Sequence, residues 1–308
     1  MPLHTLLDMP APAKLNLFLH VVGRRDDGYH LLQSAFMLID WCDVLHFERR
    51  ADGVLNRTDL GPALPDDDLC LRAARALQQA SGTTLGANIA IDKQVPWGAG
   101  LGGGSSDAAT TLLALNRLWG LNWPRQRLLP LALRLGADVP FFVQGRSAWV
   151  EGIGERMTPI TLPDITAAVI KPPIAVPTPA IFGSPLLSRN TPTARIADFL
   201  ADPIGFGRND LQPVAVAFEK GSSSHLAAGS NDEDEPLGGI ESALDQLAQA
   251  FGSSRMTGSG SAVFAVAGSG MYEPSDTLAR LLATAPQGWS GRMCRSLEAH
   301  PLVAWAAD

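Results

Sequence analysis

The first long apolar run, LNLFLHVV at residues 15–22, stops at Gly23 and predicts a strand. A turn at Asp26-Asp27-Gly28 follows, then a second extended stretch over 30–40. Residues 44–49 alternate apolar and polar side chains, as a half-buried strand does. Over 68–80, Leu69, Ala73, Ala76 and Leu77 share one face and predict a helix. Residues 87–92 (ANIAID) predict a strand that runs straight into a glycine cluster. Beyond it the spacing of Leu112, Leu115 and Trp119 predicts the strongest helix, over 107–119, with Gly120 as its stop. A short strand at 167–170 precedes Pro172-Pro173, and two domains, 1–165 and 166–308, are expected to meet near this proline-rich passage. Residues 221–236 are rich in Gly and Ser and acidic at the end, which predicts a disordered loop between two helices. No internal repeat appears, and the mixture of elements predicts an α+β protein.

Composition narrows the classes. With 308 residues, 46% hydrophobic and 18% charged, the chain can bury a core of its own. A net charge of −7 argues against binding nucleic acid, which needs a basic face, but leaves room for a nucleotide held by a few local donors. The three cysteines, Cys42, Cys70 and Cys294, show neither a disulfide framework nor metal-ligand spacing, which fits a reducing cytoplasm. The first 20 residues lack a basic start and carry Pro2, Pro10 and Pro12, so no signal peptide is expected, and no apolar run is long enough for a membrane helix. Only four of the 24 basic residues are lysines (Lys14, Lys93, Lys171 and Lys220), a bias that hints at a need for compact point charges there.

The sharpest local feature is Pro96-Trp97-Gly98-Ala99-Gly100-Leu101-Gly102-Gly103-Gly104-Ser105-Ser106-Asp107. Five glycines within seven residues, between a strand and a helix start, allow successive N–H groups to converge on a phosphate beside the positive end of the helix dipole. Ser105 and Ser106 are candidates to cap that helix or to reach a phosphate. The plain alternative is a flexible loop before a capped helix. Gly98, Gly100 and Gly103 satisfy the dinucleotide pattern, but no acid stands between Asp107 and Asp138 to hold a ribose. The Walker lysine is missing, and so are the protein-kinase triplets, so a phosphate-binding lysine must come from elsewhere in the chain.

Three separated segments, Pro12-Ala13-Lys14-Leu15-Asn16-Leu17, Gly100-Leu101-Gly102-Gly103-Gly104-Ser105-Ser106 and Thr257-Gly258-Ser259-Gly260, resemble in order the three motifs of the GHMP kinases, small-molecule kinases. Gly28-Tyr29-His30, Gly136-Ala137-Asp138-Val139-Pro140-Phe141-Phe142, Glu151-Gly152-Ile153-Gly154-Glu155 and Pro177-Thr178-Pro179-Ala180-Ile181-Phe182 are similar to one branch, whose acceptor is a cytidine-diphosphate-linked methylerythritol on the non-mevalonate route to isoprenoids. The resemblance implies the two-domain GHMP fold, with a left-handed βαβ crossover in the N-terminal domain and a ferredoxin-like C-terminal domain. ATP, with Mg2+ carried on it, and the acceptor are then expected in the cleft between them, in a monomer or weak homodimer.

The resemblance also implies roles. Asp138 is the expected general base, and Lys14 is expected to pair with it and offset charge on the transferred phosphoryl group. Read without the family, Asp138 caps a helix whose first turn holds Pro140, and Lys14 is a solvated strand end. Asn16 lies two residues from Lys14, on the same strand face, and joins the substrate side. Pro96, Gly98, Gly100, Leu101, Gly102, Gly103, Gly104, Ser105 and Ser106 are expected around ATP, with Lys93 either at the adenine or a surface strand residue. Tyr29 and Phe182 are expected to sandwich the cytosine, with His30 supplying edge contacts through its backbone and Thr178 close by; ordinary packing is their alternative. Thr257, Gly258, Ser259 and Gly260 form a second glycine turn near the phosphates. Asp107 places a negative charge beside the first loop, where it repels phosphate unless magnesium intervenes.

Overall fold

The computed structural model describes residues 3–226, 238–268 and 273–308. Strands β1 (Thr5–Arg24) and β2 (His30–Arg50) form a long antiparallel hairpin, so the two stretches expected at 30–40 and 44–49 are one strand. β1 begins ten residues before the apolar run. Pro10 and Pro12 are tolerated because β1 pairs only with β2, so no ladder N–H is needed on its other side. Register shifts at four places, one between Pro12 and Lys14, bend the strand.

β3 (Leu55–Asp59), which no sequence signal indicated, runs parallel to β4 (Gly86–Asp92), with helix α1 (Leu69–Ser81) between them. Asp68 caps α1 by accepting the Leu71 N–H, and Gly82 closes it in the left-handed conformation. Helices α2 (Gly103–Leu118), α3 (Arg125–Leu135) and α4 (Val139–Gln144) precede β5 (Ala148–Gly152) and β6 (Arg156–Pro159). The first sheet has the order β3-β4-β2-β5-β6, with β1 against β2. Its core gathers Leu45, Phe47, Ile89 and Ile91 from the strands against Leu77, Leu112 and Leu115 from the helices.

β7 (Thr166–Lys171) opens a second sheet. It is followed by α5 (Thr178–Gly183), α6 (Ile196–Ala201), α7 (Gln212–Leu226), α8 (Ile240–Phe251), β8 (Arg255–Met256), β9 (Val263–Val266), α9 (Pro274–Thr284) and β10 (Ser290–Arg295). The order β10-β7-β9-β8, antiparallel throughout, is the ferredoxin-like arrangement. The polar stretch expected as a loop at 221–236 begins inside α7; its residues 227–236 lie outside the described ones.

A second apolar cluster joins the sheets, with Leu15, Leu17 and Phe18 of β1 packed among Met37, Val169, Phe199 and Phe264. The chain then returns to the first layer. Leu302 and Ala306 are buried in its core, and the Arg125 guanidinium donates to the carbonyls of Val143, Val303 and Ala306. Among the described residues no helix is long and apolar enough to cross a membrane.

Candidate active site

The glycine cluster folds as a turn that becomes a helix earlier than its composition predicts. Gly102, at φ +73°, is the N-cap of α2, and Gly103 and Gly104 form its first turn. Ser105 and Ser106 therefore lie inside the helix and do not cap it. The first amides of α2 receive no side-chain cap, and the helix dipole adds its positive end at the same place.

Gly100 (φ +75°) is the point where the two glycine turns meet. A Cβ there would stand 2.3 Å from the Thr257 carbonyl oxygen, and one on Gly258 would stand 2.8 Å from the Gly100 carbonyl oxygen. The Ala262 N–H donates to the Ala99 carbonyl at 3.1 Å beside this contact. Gly100→Ala is therefore expected to force backbone apart, destabilising the fold by about 3 kcal/mol and raising the KM for ATP at least about tenfold. Gly98 (φ +64°) has nothing within 4 Å of its would-be Cβ, so Gly98→Ala is expected to cost only about 1 kcal/mol of backbone strain. Denaturant melts of the two variants, with ATP titrations, make the comparison; equal effects would contradict the contact.

Lys14 lies between the turns, buried, with its backbone N–H on the Leu101 carbonyl at 2.9 Å. Its ammonium donates to Asn16 Oδ1, stands 3.8 Å from Asp138 Oδ2, and lies 4.7 Å above the Phe36 ring. Burial holds the Lys14 pKa below the ordinary lysine value, and Asp138 pulls it part of the way back. Asn16 is fixed in turn, its Nδ2 donating to Ser34 Oγ at 2.9 Å and its backbone N–H to Thr257 Oγ1 at 2.8 Å. Asp138 occupies the N-cap position of α4 but makes no side-chain capping bond. The capping alternative is thus excluded, and the carboxylate, one-third exposed, opens toward the cleft.

Beneath the loop sits an ion cluster. The Lys93 ammonium donates to both Asp43 and Asp107, at 2.6 Å to the latter, while Asp43 Oδ1 accepts the N–H groups of Gln94 and Val95. Lys93 is no solvated strand residue: its side chain is 11% exposed. Asp107 is buried and turned onto Lys93, so it does not confront a phosphate as an uncompensated charge. Burial pushes its carboxyl well up, against the pull of Lys93. Asp43, 50 residues from Lys93 in the chain, escaped the sequence reading because nothing local marks the pair.

These groups line one cleft of about 900 Å³ between the layers. Of the residues singled out in the sequence, Lys14, Asn16, Tyr29, His30, Lys93, Pro96, Gly98, Gly100, Leu101, Gly102, Gly103, Gly104, Ser105, Asp138, Thr178, Phe182, Gly258, Ser259 and Gly260 lie on its wall. Ser106 and Thr257 lie behind it, both fully buried. The Phe182 ring packs on the His30 imidazole, with centroids 5.1 Å apart and planes at 34°, while Tyr29 is 61% exposed. Thr178 Oγ1 and Ser259 Oγ lie 2.7 Å apart, tying α5 to the second glycine turn.

The cleft also holds residues with no motif to mark them. Trp97 stands 82% exposed at the rim of the first loop, and Arg24 and Asp27 flank Tyr29. Asn209, buried behind the cleft, donates from Nδ2 to the Met256 and Gly258 carbonyls, both at 2.8 Å, and so shapes the second turn. Arg189 bonds His30 and the carbonyls of Phe182 and Ser184.

A helix start open to an anion, and a buried ammonium beside a carboxylate that opens toward the cleft, are what transfer of a phosphoryl group to an alcohol requires. Residues 68–146, which span the loop and its framing helices, match the GHMP kinases N terminal domain family, and the chain is a small-molecule kinase of that kind, using ATP. It is 63% identical over 307 residues to the 4-diphosphocytidyl-2-C-methyl-D-erythritol kinase of Methylibium petroleiphilum, covering 99% of this chain and 100% of that one. It is 53% identical to the enzyme of the same name from Polaromonas naphthalenivorans, covering 99% and 97%. A crystal structure of 4-(cytidine 5'-diphospho)-2C-methyl-D-erythritol kinase superposes with a TM-score of 0.72 at 31% identity, covering 94% of this chain and 100% of that one. The chain belongs to the 4-diphosphocytidyl-2-C-methyl-D-erythritol kinase family. A mevalonate kinase structure, with a TM-score of 0.63 at 14% identity, shares the fold.

Proposed function

We propose that the protein transfers the γ-phosphoryl group of ATP to the 2-hydroxyl of 4-diphosphocytidyl-2-C-methyl-D-erythritol, giving the 2-phosphate and ADP, in the methylerythritol phosphate route to isopentenyl diphosphate. The observation that carries this reading is the Lys14–Asp138 pair, 3.8 Å apart on the wall of a cleft that ends in the Tyr29, His30 and Phe182 side chains. The names of the relatives supply the acceptor.

In this reading Asp138 accepts the proton of the 2-hydroxyl as that oxygen bonds the γ-phosphorus and the bond to the β,γ-bridging oxygen breaks, with ADP leaving. Lys14 offsets charge on the moving phosphoryl group, and Asn16 keeps the ammonium aimed. The amides at the start of α2 take the nucleotide phosphates, Gly258, Ser259 and Gly260 border them, and Lys93 holds the loop from below instead of contacting adenine. In this reading Mg2+ arrives on ATP. Magnesium, when bound, supplies neutralising charge to the phosphates. The base end of the acceptor lies along Tyr29, His30 and Phe182, with Thr178 nearby. The reading is that of a cytoplasmic monomer or weak homodimer acting on small molecules, not on nucleic acid or membranes.

The test is ADP release from MgATP with a panel of acceptors: the cytidine-diphosphate methylerythritol, free methylerythritol, mevalonate, homoserine and galactose. Turnover is expected only with the first. Comparable turnover of any other would overturn the substrate assignment.

A further inference from the structure

His30, at the start of β2, and Arg189, in the segment after α5, are brought together although they lie 159 residues apart in the chain. The Arg189 guanidinium spends its whole fork on this corner. Nε donates to His30 Nε2 at 2.9 Å, Nη1 to the Leu187 carbonyl at 3.0 Å, and Nη2 to the carbonyls of Phe182 and Ser184 at 3.0 and 2.8 Å. A guanidinium has only donors, so the ring nitrogen facing it must present a lone pair. The ring proton of His30 is then on Nδ1, and the imidazole is neutral.

We propose that Arg189 is a positioning residue that locks His30 in its Nδ1–H form, so that the imidazole meets the acceptor's base as a hydrogen-bond donor. The inference rests on the proposed function for the identity of that base. Cytosine carries lone pairs at O2 and N3, and an N–H held at one place on the wall fits that side of the ring. The same fork fixes the Phe182 carbonyl, so the ring packed on His30 and the donor beside it move as one unit.

The surroundings favour the neutral ring. The charges facing His30 are Arg189, from the segment after α5, and Arg24, its cross-strand partner on β1. Asp27 of the turn is engaged by Arg25 and the Tyr29 N–H, and Phe182 of α5 brings only its ring. Burial first, then the two arginines, hold the imidazole below its ordinary pKa.

Two measurements test this. In the free protein, 15N NMR of the histidine rings is expected to show neutral His30 protonated at Nδ1 and titrating below an ordinary imidazole. In Arg189→Met the ring is expected to titrate at a higher pH than in the unmodified protein and to shift toward Nε2–H. An Nε2–H ring in the unmodified protein would overturn the proposal.

The second measurement is the KM for the cytidine-diphosphate methylerythritol against pH. It is expected to depend less on pH in the unmodified enzyme than in Arg189→Met. In Arg189→Met it is expected to rise about tenfold at pH 8, with kcat changed less than about twofold. It should then fall back as pH drops, because the imidazolium regains an N–H at Nδ1. A rise that does not depend on pH would mean that Arg189 merely props up the loop, and would overturn the proposal. If the NMR result holds while the cytidylated acceptor is not turned over and another is, the substrate assignment fails and the recognition half of the proposal falls with it; the His30–Arg189 assignment stands.

Discussion

Asp138→Asn is expected to lower kcat by about 10³-fold with the KM values for ATP and acceptor changed only a few-fold. An amide occupies the same volume but cannot accept the hydroxyl proton, and a positioned base contributes about 10²–10⁴-fold. Because the carboxylate makes no capping bond to α4, the substitution removes no local support of the helix, and melting is expected to shift by only about 3 °C or less. Single-turnover measurements at saturating MgATP separate the chemical step from product release. A fall in kcat of less than about tenfold would remove Asp138 from the role of base.

Lys14→Met is the second large effect, expected at about 10²–10³-fold in kcat/KM. Methionine keeps most of the buried volume but loses the ammonium, leaving Asn16 Oδ1 and the Asp138 carboxylate without that donor. The two losses overlap, so the double variant is expected to be little worse than Asp138→Asn alone. A pH signature accompanies this. Burial lowers the Lys14 pKa, so the free enzyme loses the ammonium at a pH below the ordinary lysine value of 10.5. As pH rises through that lowered pKa, kcat/KM is expected to decline in the unmodified enzyme. No such limb is expected in Lys14→Met. Identical alkaline profiles for the two proteins would show that Lys14 is not the group that titrates.

What the sequence makes legible is what neighbours in the chain decide. Lys14 and Asn16 share a strand face because side chains alternate, and the structure brings them into direct contact. The glycine loop was visible because so many residues without a Cβ serve a close approach, which the structure finds at Gly100 against Thr257. The start of α2 was misjudged because glycine is a poor helix former, and here packing overrides propensity. That helix is buried without a break from Ser106 to Asn116, so reading one face from Leu112, Leu115 and Trp119 understated it. β1 runs ten residues further than its apolar stretch indicates, since a strand tolerates Pro10 and Pro12 only where a side is left unpaired, and position in a sheet is not a local property. Asp43, Arg189 and Asn209 stayed invisible because each meets its partner only after the chain has folded, across 50, 159 and 47–49 residues.

The return of residues 302–306 to the first layer bears on how the protein is made. Translation delivers the helices of that layer up to α4, and β5 and β6 soon after, yet its core is closed by Leu302 and Ala306, and Arg125 finds two of its carbonyl partners there. Roughly 160 residues separate α4 from these partners, and at about 5–20 residues per second a ribosome takes about 10–30 s to supply them. Through that interval the nascent first layer presents an apolar gap where Leu302 will sit.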